Sequence, residues 1–411
     1  MIGVKQDIKP YKDNSYHAVG VIILIYLFAL FASYLYVQIN GVYNGDFIGD
    51  EVSVDSTILF VNLVVNTFPF ILLWFFYRSF KKKNVKDIDL KETKHNVLFF
   101  ITVLLLLVHV FMAGVLGVGV LAGDTYEVNS MLKIFIQIFY RFQPQVWAFL
   151  FILSSRNNQK IILVIVLLVL LAICKHSMGG IWILMLVLLI RYYEFIKSVV
   201  LKHKLLVLIL LFMIPFTIRN LYILRNELRG NDSDILKEFS IADLLAGQFA
   251  GRLSCFSNTT YIFEEPEYFF INSLSLQNDY YIKQALKVVF GVGGNDLDTT
   301  PEKIMISVTG YEGENVSFMT GVFGNFMFSF MKSPLISVVN LVLMLLMVWG
   351  TFKLMSLMYL SVSPEVAFIS CLIPMLSGVS SEFAYALFVA FTTFFIYSFF
   401  CRFKFVIRKI K

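Results

Sequence analysis

The sequence predicts an all-α polytopic membrane protein, with about ten transmembrane helices, a large and partly helical outer loop, and one short re-entrant helix. Three observations lead there. Of 411 residues, 58% are hydrophobic and only 15% charged, whereas a soluble domain covers itself with about 25% charged residues. Apolar runs of helix-spanning length recur along the chain, matching the roughly 20 residues that cross the hydrocarbon of a bilayer. Basic clusters alternate with acidic or neutral connections, as the positive-inside rule requires of a multi-pass chain.

The runs fall at residues 17–39, 57–77, 96–122, 131–153, 161–174, 180–192 and 205–222, and after a long polar stretch at 334–354, 366–376 and 382–400. Lysines and arginines cluster at 78–94, 156–160, 191–204 and 402–411, which places those segments on the cytoplasmic side. Segment 223–315 holds 14 acidic residues against 7 basic ones and is read as one long outer loop in a single membrane domain, 1–411. For that loop to start outside and the tail RFKFVIRKIK to end inside, an odd number of crossings must follow. Assigning 316–331 to a short re-entrant or surface helix satisfies this. The first run is too long for a signal-peptide core, so it is expected to stay in the mature protein.

Several common classes of chemistry have no signature here. There is no Walker loop, no HExxH and no cytoplasmic domain to hold ATP or a nucleotide sugar, and no nucleic-acid partner is expected. The four cysteines are scattered without a CxxC pair, which argues against a zinc site or a disulfide framework and for small buried hydrophobes. GVGGND at 291–296 lacks the Lys-Ser/Thr of a phosphate loop and reads as a turn. Gly119 and Gly123 form a small-xxx-small step suited to close helix packing. Asn231, Asn258 and Asn315 each open an Asn-x-Ser/Thr triplet, which matters only in a pathway that glycosylates.

What remains is a set of ionisable residues inside or at the outer edge of spans, where charge is costly and marks function. Arg141 stands in RFQPQ, where Pro144 loosens the helix. Lys175 and His176 stand in CKHSMGG, at the outer hinge between two short spans. Arg219, Arg225 and Arg229 follow Pro215 in TIRNLYILRNELRG, and if that segment stays helical the last two share a face. Arg252 lies among small, hydroxyl and aromatic residues in LLAGQFAGRLSCFSNTTYIFEEPEYF, with Tyr261 and Tyr268 close behind as surfaces for sugar faces or lipid. Glu382, in GVSSEFAY, is the one acidic residue placed at a membrane-embedded outer site. Snorkelling or loop ion pairs would also account for the arginines, and helix capping for Glu382. His109, alone in the third run, reads as a packed neutral histidine with one interhelical hydrogen bond. So basic an inventory fits an anionic substrate gripped by guanidinium groups better than cation-coupled transport.

The array of spans, the single long outer loop after a span ending in arginines, the GRLSCFSNT segment and the late SEF at the head of the last helix together resemble the Wzy-type O-antigen polymerases. The resemblance implies a glycosyltransferase of the bacterial inner membrane that joins undecaprenyl-pyrophosphate-linked oligosaccharide repeat units at the periplasmic face. The 223–315 loop would then be periplasmic, and a chain-length regulator would be a partner alongside the lipid bilayer. Carried onto this chain, Arg219, Arg225, Arg229 and Arg252 are the basic residues of the loop region and Glu382 the late acidic one. With Arg141 and Lys175 they form the expected pyrophosphate-binding set, with Glu382 or His176 as proton acceptor and no metal or cofactor. The family often carries two comparable outer loops, whereas here segments 41–57 and 123–130 are small, which leaves the acceptor site open. An O-antigen ligase is the nearest alternative, and a lipid-linked oligosaccharide flippase the alternative of a different class.

Overall fold

The computed structural model describes residues 15–47, 49–83, 92–120, 130–228, 240–241, 243–290, 300–309 and 319–402. Among these the chain is helical, apart from turns and one isolated antiparallel bridge between Val42 and Glu51. The first eight helices are α1 (Ser15–Asn40), α2 (Ser56–Lys83), α3 (Glu92–Gly114), α4 (Ser130–Phe139), α5 (Pro144–Ser154), α6 (Asn158–Cys174), α7 (Met178–Lys202) and α8 (Lys204–Leu228). A π-helical stretch, α9 (Asp243–Ala250), runs into α10 (Gly251–Ser254), and short helices α11 (Phe256–Glu264), α12 (Pro266–Ser273), α13 (Tyr280–Phe290) and α14 (Pro301–Thr309) follow. Then come α15 (Gly321–Lys332), α16 (Pro334–Ser356), α17 (Ser363–Ser377) and α18 (Ser380–Tyr397), the last continued by a π-helical stretch, Ser398–Arg402.

Six of these, α1, α2, α3, α8, α16 and α18, are long and apolar enough to cross a bilayer, and α5, α6 and α17 are shorter apolar helices. The fold is that of an all-helical, multi-pass membrane protein. The long helices carry apolar side chains on both faces. On α1, Ile22, Tyr26 and Leu30 are buried while Leu24, Phe28 and Phe31 are exposed, as suits a helix with protein on one side and lipid on the other.

The short helices differ. Val146 through Leu153 of α5 are all buried, and so is nearly every residue of α17. A helix apolar all round belongs inside a bundle, and these two sit there in contact with each other. Their ends are held by charge. Arg191 of α7 donates to the carbonyls of Ile152 and, at 2.8 Å, Ser155, closing the C-terminus of α5. At the start of α17 the fully buried Glu365 pairs with Lys81 at 2.8 Å and accepts from the Tyr77 hydroxyl at 3.0 Å.

Three sequence expectations need correction. The run 131–153 is not one helix, since α4 and α5 are separated by a turn at residues 140–143. Pro144 has no N–H to continue the ladder and forces Gln143 into extended backbone, φ −80 and ψ 104. Arg141 therefore stands exposed in the break and not in mid-helix. The third run ends at Gly114, not at 122. Gly117 and Gly119 lie beyond the helix with φ of 63 and 76, so Gly119 is a turn residue and not part of a helix-packing step. The close approach is made by Gly114, where a Cβ would lie 3.3 Å from Cys174 Sγ. The sixth run, expected to stop at 192, extends to Lys202 through a kink at Tyr192. Gly123, the 291–296 turn, Arg229, Asn231 and Asn315 lie outside the described residues. Helix α15 is 12 residues long, about 18 Å at 1.5 Å per residue, short of a full crossing.

Candidate functional site

The GRLSC–FSNTT segment is stitched to the end of the bundle where α1 and α2 meet their connecting loop. Gly251 lies against that loop so closely that a Cβ would sit 2.4 Å from the Gly45 nitrogen and 2.7 Å from its Cα. Cys255 ends α10 and opens α11 in a left-handed conformation, φ 53 and ψ 22, which turns the chain sharply between the two. The polar residues of the spans now find their partners. Ser33 of α1 bonds Ser254 at 2.9 Å, Tyr36 donates to Asp243 at 2.8 Å, and Asn62 of α2 donates to the Phe256 carbonyl and to Thr260. Asn44 accepts from the Ser257 hydroxyl and donates to the Ala246 carbonyl at 2.9 Å. Asn258 is buried and donates to Asp46 and to the Met319 carbonyl, both at 3.0 Å, so its glycosylation triplet is closed off.

This stitching presents Arg252. Its Nε lies 3.5 Å from Asp46 Oδ1, and its guanidinium sits over the Tyr222 ring of α8 at 5.8 Å. Arg219, one turn before Tyr222, is half-buried on the same helix; Arg225 is also on α8, its side chain outside the description. Tyr261 stacks on Phe47 with centroids 4.8 Å apart, and Tyr268 is exposed.

A second feature is a cavity of about 370 Å³ lined by His109 of α3, Tyr140 and Gln143 of the α4–α5 break, Gln145 at the start of α5, Lys175 of the α6–α7 turn, Val288 of α13, and Ser381, Glu382 and Tyr385 of α18. The proline break supplies one wall that a continuous helix could not. Lys175 Nζ lies over the Tyr140 ring at 5.8 Å, and burial holds its pKa below the ordinary lysine value. His109 Nδ1 is 2.9 Å from the Leu105 carbonyl, an atom that only accepts, so the proton sits on Nδ1 and Nε2 keeps its lone pair. Glu382 accepts a hydrogen bond from Ser377. Gln145 Oε1 is buried with no hydrogen bond among the described residues.

The two features adjoin. Gly378, beside Ser377, packs on the backbone of Gly321; Thr320 next to it accepts from Thr259; and Thr259 in turn bonds the Cys255 carbonyl. Burial raises the pKa of the Cys255 thiol well above its usual value, and the charges of Asp46 and Glu382 both raise it further.

Of the sequence-predicted residues, Lys175 and Glu382 share the cavity, while Arg252 is outside its lining and meets Tyr222 of α8. Arg141 and His176 do not line it; His176 occupies the same turn as Lys175 with φ 51. Sequence reasoning missed three residues. His109 bonds within its own helix and faces the cavity, not a neighbouring helix. Tyr385 follows Glu382 by three residues, a spacing that puts both on one helical face and was legible. Asp46 lies in a loop that sequence reading set aside as small. Among the described residues, no three His, Cys, Asp or Glu side chains converge as a metal site. No family model, characterised protein or solved structure matches the chain.

Proposed function

We propose that this chain is a Wzy-type O-antigen polymerase. It joins undecaprenyl-pyrophosphate-linked oligosaccharide repeat units at the periplasmic face of the bacterial inner membrane, crosses that membrane about ten times, and carries 223–315 as its periplasmic loop. The observation that supports this reading best is the cavity, which sets a carboxylate, an imidazole lone pair and a lysine together, with the half-buried Arg252 presented by the GRLSC segment. Those are the groups that glycosyl transfer from a pyrophosphate requires.

The chemistry follows from where charge moves. Breaking the bond between the donor sugar C1 and its pyrophosphate oxygen leaves the electron pair on the pyrophosphate. Arg252 and Lys175, held in place by the fold, stabilise that developing charge more than they stabilise the ground state. The incoming hydroxyl forms the new bond to C1 and gives up its proton to an acceptor within hydrogen-bond reach, for which Glu382 and His109 Nε2 stand in the cavity. Tyr385, Tyr140 and the Gln145 amide line the same space and offer sugar contacts.

Arg252→Lys tests the role of the guanidinium. Lysine keeps the charge and loses the planar fork that grips two phosphate oxygens at once. Long O-antigen should fall sharply at normal protein level, with the single-repeat product retained; full-length chains in the lysine variant would reduce Arg252 to a generic charge. The topology has its own check. A reporter fused after Lys204 or Lys411 should read cytoplasmic and one fused between Asp232 and Glu314 periplasmic, and an external signal at Lys411 would overturn the ten-span count.

A further inference from the structure

We propose that Asp46 is the resident counter-ion of Arg252, occupying in the unloaded protein the guanidinium position that a diphosphate takes on binding. This rests on the reading of Arg252 as an anion-binding residue of the transferase. The two oxygens of Asp46 are used differently. Oδ2 is anchored by the Asn258 amide at 3.0 Å, whereas Oδ1 is 3.5 Å from Arg252 Nε, and that nitrogen has no hydrogen bond among the described residues. The carboxylate is therefore held by Asn258 and only neutralises Arg252. The side chains are 25% and 37% exposed, so a dissolved anion reaches the pair and breaks it at small cost.

Backbone geometry fixes the arrangement. Asp46 sits on the 3-10 turn Gly45–Phe47, whose first residue is pressed against Gly251, next in sequence to Arg252. Asp46 and Arg252 thus stay opposed whatever their side chains do. The Arg252 guanidinium lies over the Tyr222 ring at 5.8 Å, a cation–π contact that uses none of its N–H groups and so leaves them for an oxyanion. A carboxylate competing for those groups has a purpose in a transferase. The leaving pyrophosphate carries more charge than the bound donor, and a fixed competitor promotes its release. Asp46 is by this account a positioning residue that sets affinity, and it explains why an acidic residue stands beside the site's main cation.

The test is binding of inorganic pyrophosphate to the purified full-length protein in detergent, measured for wild type, Asp46→Asn, Arg252→Gln and the double variant. Asparagine keeps the shape and an acceptor for Asn258, and Asp46→Ser is measured in its place if the melting temperature falls. Removing the competing charge should tighten pyrophosphate by about fivefold. The gain should vanish in the Arg252→Gln background. In the transfer reaction, Asp46→Asn should lower KM and kcat together, a split that a merely structural loss does not produce. Unchanged or weaker pyrophosphate binding by a folded Asp46→Asn protein overturns the proposal, even if the wild type polymerises. Tighter binding by Asp46→Asn in a protein that makes no polymer upholds the counter-ion and overturns the polymerase.

Discussion

Gly378→Ala is expected to leave little folded protein. Gly378 closes α17 with φ +73, in the left-handed region, and a Cβ there would lie 2.1 Å from the Gly321 carbonyl oxygen and 2.6 Å from the Val322 nitrogen. Both obstacles are backbone, and Gly321 is itself left-handed at φ +72, so no rotamer change relieves them. The start of α15 would have to move off the end of α17. That would break the bond from Asn325 to the Gly378 carbonyl, 2.8 Å, and pull Thr320 away from Thr259. Strain and lost contacts together should cost about 3 kcal/mol or more, read as loss of the thermal transition or of the protein from membranes. Gly350→Ala is the control. Its Cβ would also meet an atom closely, at 2.8 Å, but that atom is Leu387 Cδ1 at the tip of a flexible side chain. The Gly350 variant should fold, and a stable Gly378 variant beside it would refute the fixed crossing on which the site's geometry depends.

Glu382→Gln is expected to abolish long-chain product while leaving the protein intact. Glutamine fills the same volume, and its amide oxygen can still accept from Ser377, so the link between α17 and α18 persists. The amide takes no proton at working pH. If the carboxylate removes the acceptor's proton, activity should fall by about a hundredfold or more. Glu382 lies in the first turn of α18, and Lys175 lines the same space. A modest loss would mean that the carboxylate only balances charge. His109→Gln then decides, because Nε2 of His109 is the other proton acceptor in the cavity. His176, named beside Glu382 from sequence alone, stands in the same turn as Lys175 and does not line that space.

The sequence made the long helices legible because length and apolarity are what a bilayer selects. The limits of α1, α2 and α16 fall close to the runs read from composition. It was less informative about which face does what. In a soluble helix, polarity marks the outside; here α3 is apolar toward lipid and toward protein alike, so nothing local told that His109 meets a cavity. The break between α4 and α5 was hidden by the continuous apolar run around it, although Pro144 signalled a weakness. GRLSC–FSNTT stood out by composition, and its small residues proved to be backbone approach and buried hydroxyl bonds. Asp46 had no such mark. A lone acid in a short loop becomes informative only when folding sets it against Arg252.

Deleting the gene in its native host and separating the lipopolysaccharide by gel tests the central claim most directly. Polymerase loss should leave lipid A core bearing a single repeat unit, with the long ladder absent and restored by the wild-type gene but not by Glu382→Gln. Bare core with lipid-linked polymer accumulating would assign the chain to ligation, a loss of both polymer and capped core would assign it to flipping, and an unchanged ladder would contradict the account outright.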